Sequence, residues 1–190
     1  MPPRRPLVDA LAAVLARGLL CVAAILATPL HGQGPATEYA LKAAFLYHVP
    51  QFITWPAAML ENTDALSICV ARPDPFGGTL EELTAGEAID GRALQVREVA
   101  RTADLDGCHL LFVSAEAGAR GRALLARAAE SPIVTIGESP DFLDEGGLLR
   151  LRLEGRRLAF EVDVIGARQH GLELSSQLLR LAAGVRQDDP

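Results

Sequence analysis

Residues Phe160–Ala182, FEVDVIGARQHGLELSSQLLRLA, decide the fold class. They read as the end of a strand, a capped helix, a break and a last amphipathic helix. Apolar and polar residues alternate from Leu149 to Val162, the period of a strand with one buried face. Asp163 stands where an N-cap is needed, its carboxylate able to accept a first-turn amide. Gly171 suits the position just past a helix end, where a positive φ favours glycine. Ser175 is placed as a second N-cap, with Leu174 before it set to staple against Leu179. Leu174, Leu178 and Leu181 then share a helical face. The polar side chains of this stretch are accounted for by capping, which points away from catalysis and towards binding or regulation.

Upstream, Gly146-Gly147 opens a hairpin whose arms are Leu149–Glu154 and Leu158–Val162, joined by a turn over Glu154–Arg157. The hairpin is antiparallel. The elements before it alternate between helix and strand, as βαβ crossovers do. A first helix is predicted from Thr37 or Glu38, with Leu41, Phe45, Val49 and Phe52 on one face. Pro50 kinks or breaks it, and Pro56 ends it. Leu66–Ala71 reads as a strand, followed by a turn at Asp74–Gly78 and a helix through Leu80 and Leu83. Asp90-Gly91 is a turn before a strand at Leu94–Val99. Cys108–Ser114 is apolar almost throughout, the mark of a strand covered on both faces. Glu116–Glu130 reads as a helix with Leu124, Leu125 and Ala128 inward, and Ile133–Ile136 as a short buried strand. The sum is an α/β fold: a three-layer sandwich with a mixed sheet of about six strands and helices on both faces.

The chain has 190 residues, 49% hydrophobic and 22% charged, with a net charge of −6. That is one domain's worth of chain with apolar material for a core. Arg4, Arg5 and Arg17 precede an apolar run over Gly18–Leu30, and small or polar residues follow. Residues 1–33 therefore read as a cleaved secretory signal peptide, leaving a domain over 37–185 in the periplasm. Without Arg4, Arg5, Arg17 and Asp9, 15 basic and 23 acidic residues remain, a charge of −8. Nucleic acid and anionic membrane surfaces are poor partners for such a chain. One lysine, Lys42, stands among seventeen arginines, which reads as a compositional bias.

Export leaves Cys69 and Cys108 as the only cysteine pair, in an oxidising compartment. A bridge between them closes a loop of about 40 residues, worth roughly 4 kcal/mol in the chain-entropy model. It requires neighbouring strands in suitable register; otherwise the two remain separate buried thiols. No metal site is predicted, since His48, His109 and His170 lack matched ligand spacing. GxSxG, HExxH, P-loop and GxGxxG motifs are all missing from the sequence, so neither catalytic residues nor a cofactor are predicted. One candidate ligand loop stands out: Asp74, Phe76, Gly77 and Gly78 lie between a strand and a helix start, where exposed amides can meet a ligand. Tyr39, Tyr47, Phe52 and Trp55, large aromatics near a domain end, form a candidate partner surface, with core packing as the competing role for Phe52 and Trp55.

Five stretches together resemble the YfiR-like periplasmic proteins. They are YALKAAFLYHVPQFITWP at Tyr39–Pro56, ICVARPDPFGGTLEEL at Ile68–Leu83, GCHLLFVS at Gly107–Ser114, PIVTIGESPDFLDEGGLLRLRLEGRRLAFEVDV at Pro132–Val164, and the closing string above. The resemblance lies in their order and spacing. It implies a six-stranded sheet flanked by helices, often dimeric, without catalytic residues. It also implies a regulator that contacts the periplasmic part of an inner-membrane diguanylate cyclase and lowers cyclic-di-GMP output. Some relatives are associated with histidine kinases, and an outer-membrane lipoprotein is a further partner class. Cys69 and Cys108 match a family cysteine pair. A second pair is absent: Leu143 and Arg150 stand about where it would be. Asp163 replaces a common Asn, and both residues cap helices. A periplasmic small-molecule-binding or sensory protein acting with a histidine kinase is the alternative reading.

Overall fold

The structure is a computed structural model that describes residues 35–61 and 63–187; the predicted signal peptide over 1–33 lies outside the described residues. Pro50 sets the end of the first helix. Helix α1 (Pro35–His48) gives way to a 3-10 turn over Val49–Phe52 with Pro50 in its first positions. A proline ring clashes with the carbonyl four residues back, so the α-helix cannot continue through it. The chain proceeds through β1 (Ile53–Thr54), the single turn α2 (Ala57–Leu60), β2 (Ala65–Ala71), α3 (Thr79–Thr84), β3 (Ala88–Ile89) and β4 (Arg92–Val99). A 3-10 turn over Thr102–Leu105 leads to β5 (Leu110–Val113). A second, over Ala115–Ala117, leads to α4 (Gly118–Ala128), and β6 (Val134–Gly137) follows. The hairpin is β7 (Leu149–Glu154) and β8 (Arg157–Asp163). The chain closes with α5 (Val164–Gln169), β9 (Glu173–Leu174), α6 (Ser176–Leu181) and β10 (Gly184–Arg186).

Eight strands form one mixed sheet in the order β10-β8-β7-β6-β5-β2-β4-β3. The neighbours from β4 across to β7 are parallel, as is β10 to β8, while β7–β8 and β3–β4 are antiparallel. The expected count was about six. The two additions, β3 with two residues and β10 with three, sit at the edges, too short to show an alternating pattern. β1 and β9 pair in a separate two-stranded ribbon.

Side-chain alternation divides the core in two. Ile68 and Val70 of β2, Leu110 and Phe112 of β5, Val134 and Ile136 of β6, Leu149 and Leu151 of β7, and Phe160 and Val162 of β8 pack with α1, α3, α5 and α6. Cys69, Ala71, Leu111 and Val113 face the other way, onto Leu124, Leu125 and Ala128 of α4. This second core takes no residue from β7 or β8. Their outer face carries Arg150, Arg152 and Glu161, with Arg150 and Glu161 opposite each other and 2.9 Å apart.

One helix face differs from expectation. On α1 the core side is Lys42, Ala43 and Leu46, while Leu41 is among the exposed large hydrophobics. A lysine at a core position breaks the apolar pattern, so the face through Leu41 looked the more hydrophobic one. Cys108 also lies ahead of its strand, which begins at Leu110. The entry turn brings it to Cys69, with Cα atoms 5.9 Å apart, and the two are bonded and fully buried.

Candidate functional site

The sheet reverses its direction of growth between β2 and β5: from β2 the chain adds β4 on one side and then crosses to add β5 on the other. In open α/β sheets, the carboxyl ends of the strands at such a point form a crevice. Here side chains of α1, β5 and the segments after β2 and β6 meet. Phe76, just after β2, packs its ring against Phe112 of β5 and edge-on to Tyr39 of α1, at centroid distances of 4.9 and 5.7 Å. Glu138, immediately after β6, lies beneath α1. Its carboxylate accepts from Lys42, from the Tyr39 hydroxyl at 2.9 Å and from the Ala115 amide at 2.8 Å. Lys42 is 2% exposed and Glu138 8%. A second carboxylate, Glu38, lies 2.5 Å from the Lys42 ammonium, which also sits 4.6 Å from the Tyr39 ring centroid. Burial, and then the negative charge of Glu138, push the Tyr39 hydroxyl above the usual phenol range. A buried pair of this kind adds little net stability, but removing one partner leaves an uncompensated charge and costs about 3–5 kcal/mol.

The sequence reading did not single out Lys42 or Glu138. The available signal was the lone lysine among seventeen arginines, placed one helical turn before Leu46 on an otherwise apolar face. Of the candidate ligand loop, Asp74 accepts the Phe76 amide at 2.9 Å and Phe76 is buried. Gly77 and Gly78 take φ values of +58° and +90°, which bend the chain into the six-residue α3.

The candidate partner surface separates. Tyr39 is turned inward to Glu138. Tyr47 is half-buried, its hydroxyl donating to Glu87 at 2.9 Å. Phe52 is half-buried against the first core. Trp55 does not belong to the surface: it is 6% exposed, its indole N–H donating to the His109 carbonyl at 3.2 Å. The β1–β9 ribbon beside it draws that segment onto the sheet. Among the described residues, the exposed large hydrophobics are Leu41, Leu83, Leu181 and Val185.

In the closing stretch, Asp163 accepts the Gly166 amide at 2.9 Å and Ser175 accepts the Leu178 amide at 3.2 Å. Gly171, at φ +70°, donates to the Arg168 carbonyl, and Leu172 donates to that of Ala167, the paired bonds of a Schellman stop. His109 is buried between Trp55 and β2. Its Nδ1 accepts the Ser67 amide at 3.1 Å, which leaves the proton on an unpartnered Nε2. Burial first, and then the charges of Arg92 and Arg97, hold this imidazole below its ordinary pKa. Arg97 also reaches the disulfide, with a guanidinium nitrogen 3.3 Å from Cys108 Sγ and 3.6 Å from Cys69 Sγ. Among the described residues, no three His, Cys, Asp or Glu side chains are grouped to hold a metal ion. A cavity of about 340 Å³ lies under α2, lined by Met59, Leu105, Cys108 and Ile133 with Arg127 among the polar residues.

Comparison with known proteins gives one family. The sequence model of DUF4154, described as YfiR/HmsC-like, matches residues 39–183. No curated protein matches the chain. Among solved structures, a conserved domain protein of Vibrio cholerae is similar at 11% identity over 77% of this chain and 60% of its own, with a TM-score of 0.49. The ABC domain in complex with L-Trp from Streptococcus pneumonia is similar at 10% identity over 64% of this chain and 55% of its own, with a TM-score of 0.47. The chain thus spans less than two thirds of either structure's length, and similarities at this level carry no argument about function.

Proposed function

Because this chain belongs to the YfiR/HmsC-like family, we propose that it is a non-catalytic periplasmic regulator of a membrane signalling enzyme. In its sharper form, it binds the periplasmic part of an inner-membrane diguanylate cyclase and lowers cyclic-di-GMP output, acting as a homodimer and answering to an outer-membrane lipoprotein. The observation that carries this reading is the extent of the family match, residues 39–183, from α1 to the end of α6. Chemistry at the residue level is consistent with it. Asp163 and Ser175 cap helices, and Glu138 is engaged by Lys42, Tyr39 and Ala115. The apolar run at Gly18–Leu30 supports export. Partner contact involves the exposed apolar side chains, Leu41 of α1 and Leu83 of α3.

A small-molecule sensor working with a histidine kinase is the second reading. The 340 Å³ cavity favours it, with a largely apolar wall that carries one guanidinium, Arg127, and one carboxylate, Asp106. Capture from detergent-solubilised membranes, paired with a thermal-shift screen of anionic metabolites, separates the two. Recovery of a membrane diguanylate cyclase without stabilisation by any metabolite supports the first. Stabilisation by a metabolite, with a histidine kinase as the captured protein, replaces it with the second.

A further inference from the structure

One carboxylate ties three elements of this fold together. Glu138 directly follows β6. Its Oε1 accepts from the Tyr39 hydroxyl at 2.9 Å and from the Ala115 amide at 2.8 Å, and its Oε2 accepts from Lys42. Tyr39 and Lys42 belong to α1, while Ala115 begins the turn between β5 and α4. The negative charge of Glu116, in that same turn, also acts on the Tyr39 hydroxyl. Ser114, next to Ala115, is buried with an unpartnered Oγ, so its side chain supplies the turn with no bond of its own.

We propose that Glu138 is a latch that couples the seating of α1 to the conformation of the β5–α4 turn, so that the two are held or released together. The physical reason is the intolerance of a buried carboxylate for missing donors. Once Lys42 is withdrawn, the Glu138 charge is driven towards water, and the acceptor for the Ala115 amide leaves with it. A partner that draws α1 outward is then felt at the carboxyl ends of β5 and β6. The coupling does not depend on who that partner is, and its failure would leave the regulator reading untouched.

Residue-resolved amide hydrogen exchange on the folded protein tests the latch. In Lys42→Met, which keeps length and removes charge, the Ala115 amide exchanges roughly tenfold faster. The amides of α1 accelerate with it, while that of Ala183, which donates to the Phe160 carbonyl at the β10 edge of the sheet and opens locally, keeps its wild-type rate. Ala115 protected as in wild type while α1 accelerates would overturn the proposal. So would an equal acceleration at every amide, which reports only lost stability. Should Lys42→Met fail to fold, Tyr39→Phe removes one bond without stranding a charge. It accelerates Ala115 by roughly two- to threefold, and an unchanged rate there overturns the latch.

Discussion

Strands β5 and β8 use the same sheet in opposite ways. All four residues of β5 are apolar and buried, shared between the α1 core on one face and the α4 core on the other. In β8, Phe160 and Val162 enter the first core, with Leu158 packed against it. Glu161 between them joins Arg150 and Arg152 on a face where the second core has no residue. The half of the sheet around β2, β5 and β6 is three layers deep, and the β7–β8 end is two. Coverage by α4 makes the difference, and the strand sequences record it: continuous apolar runs where both faces are covered, alternation where one is.

An alanine scan separates the two halves most sharply. Along β5, Leu110→Ala, Leu111→Ala and Phe112→Ala should each cost about 2–5 kcal/mol in denaturant unfolding, whichever face the residue occupies. Along β7 the cost should alternate. Leu151→Ala matches the β5 values, and Arg152→Ala, on the open face, stays within about 1 kcal/mol. Equal losses at Leu151 and Arg152 would mean that something covers the outer face of the hairpin.

The disulfide belongs to the doubly covered half and should matter next. Reduction, or Cys108→Ser, is expected to remove about 2–4 kcal/mol, read as a drop in Tm with and without reductant. A Tm indifferent to reductant would contradict a bridge that closes 39 residues of chain.

His109 adds a pH dependence to the same region. Its folded-state pKa lies below the ordinary value of 6.5, chiefly because the ring is buried. The unfolded chain therefore takes up the proton first as pH falls. The stability this group contributes is full above pH 6.5 and declines as pH drops towards the folded value. His109→Gln should flatten that decline in pH-dependent unfolding, whereas an unchanged slope would place its origin elsewhere. The smallest effect is expected on the open face. Added salt, which screens the partly exposed Arg152–Glu161 pair, should change the unfolding free energy of Arg152→Ala and wild type alike, to within about 1 kcal/mol.

Much of the fold was legible because the long strands and their punctuation carry strong local signals. The hairpin, the break at Pro50 and the caps at Asp163, Gly171 and Ser175 all follow from residue chemistry within a few positions. What escaped depends on contacts distant in sequence. Lys42 and Glu138 are 96 residues apart, and nothing near either one announces the other. The same pair hid the true face of α1, because a lysine was set against the core. For Trp55 the sequence left partner surface and core packing open, and burial with its bond to the His109 carbonyl decides for the core. Of the proposed site, the packing of Phe76 against Tyr39 and Phe112 was likewise invisible, since it joins three segments far apart in sequence.

Cellular cyclic-di-GMP, measured after deletion of the gene and after its return, tests the central claim most directly. A regulator that holds down a cyclase predicts a rise on deletion, reversed by the wild-type chain. Unchanged cyclic-di-GMP on deletion and on overexpression alike would contradict it.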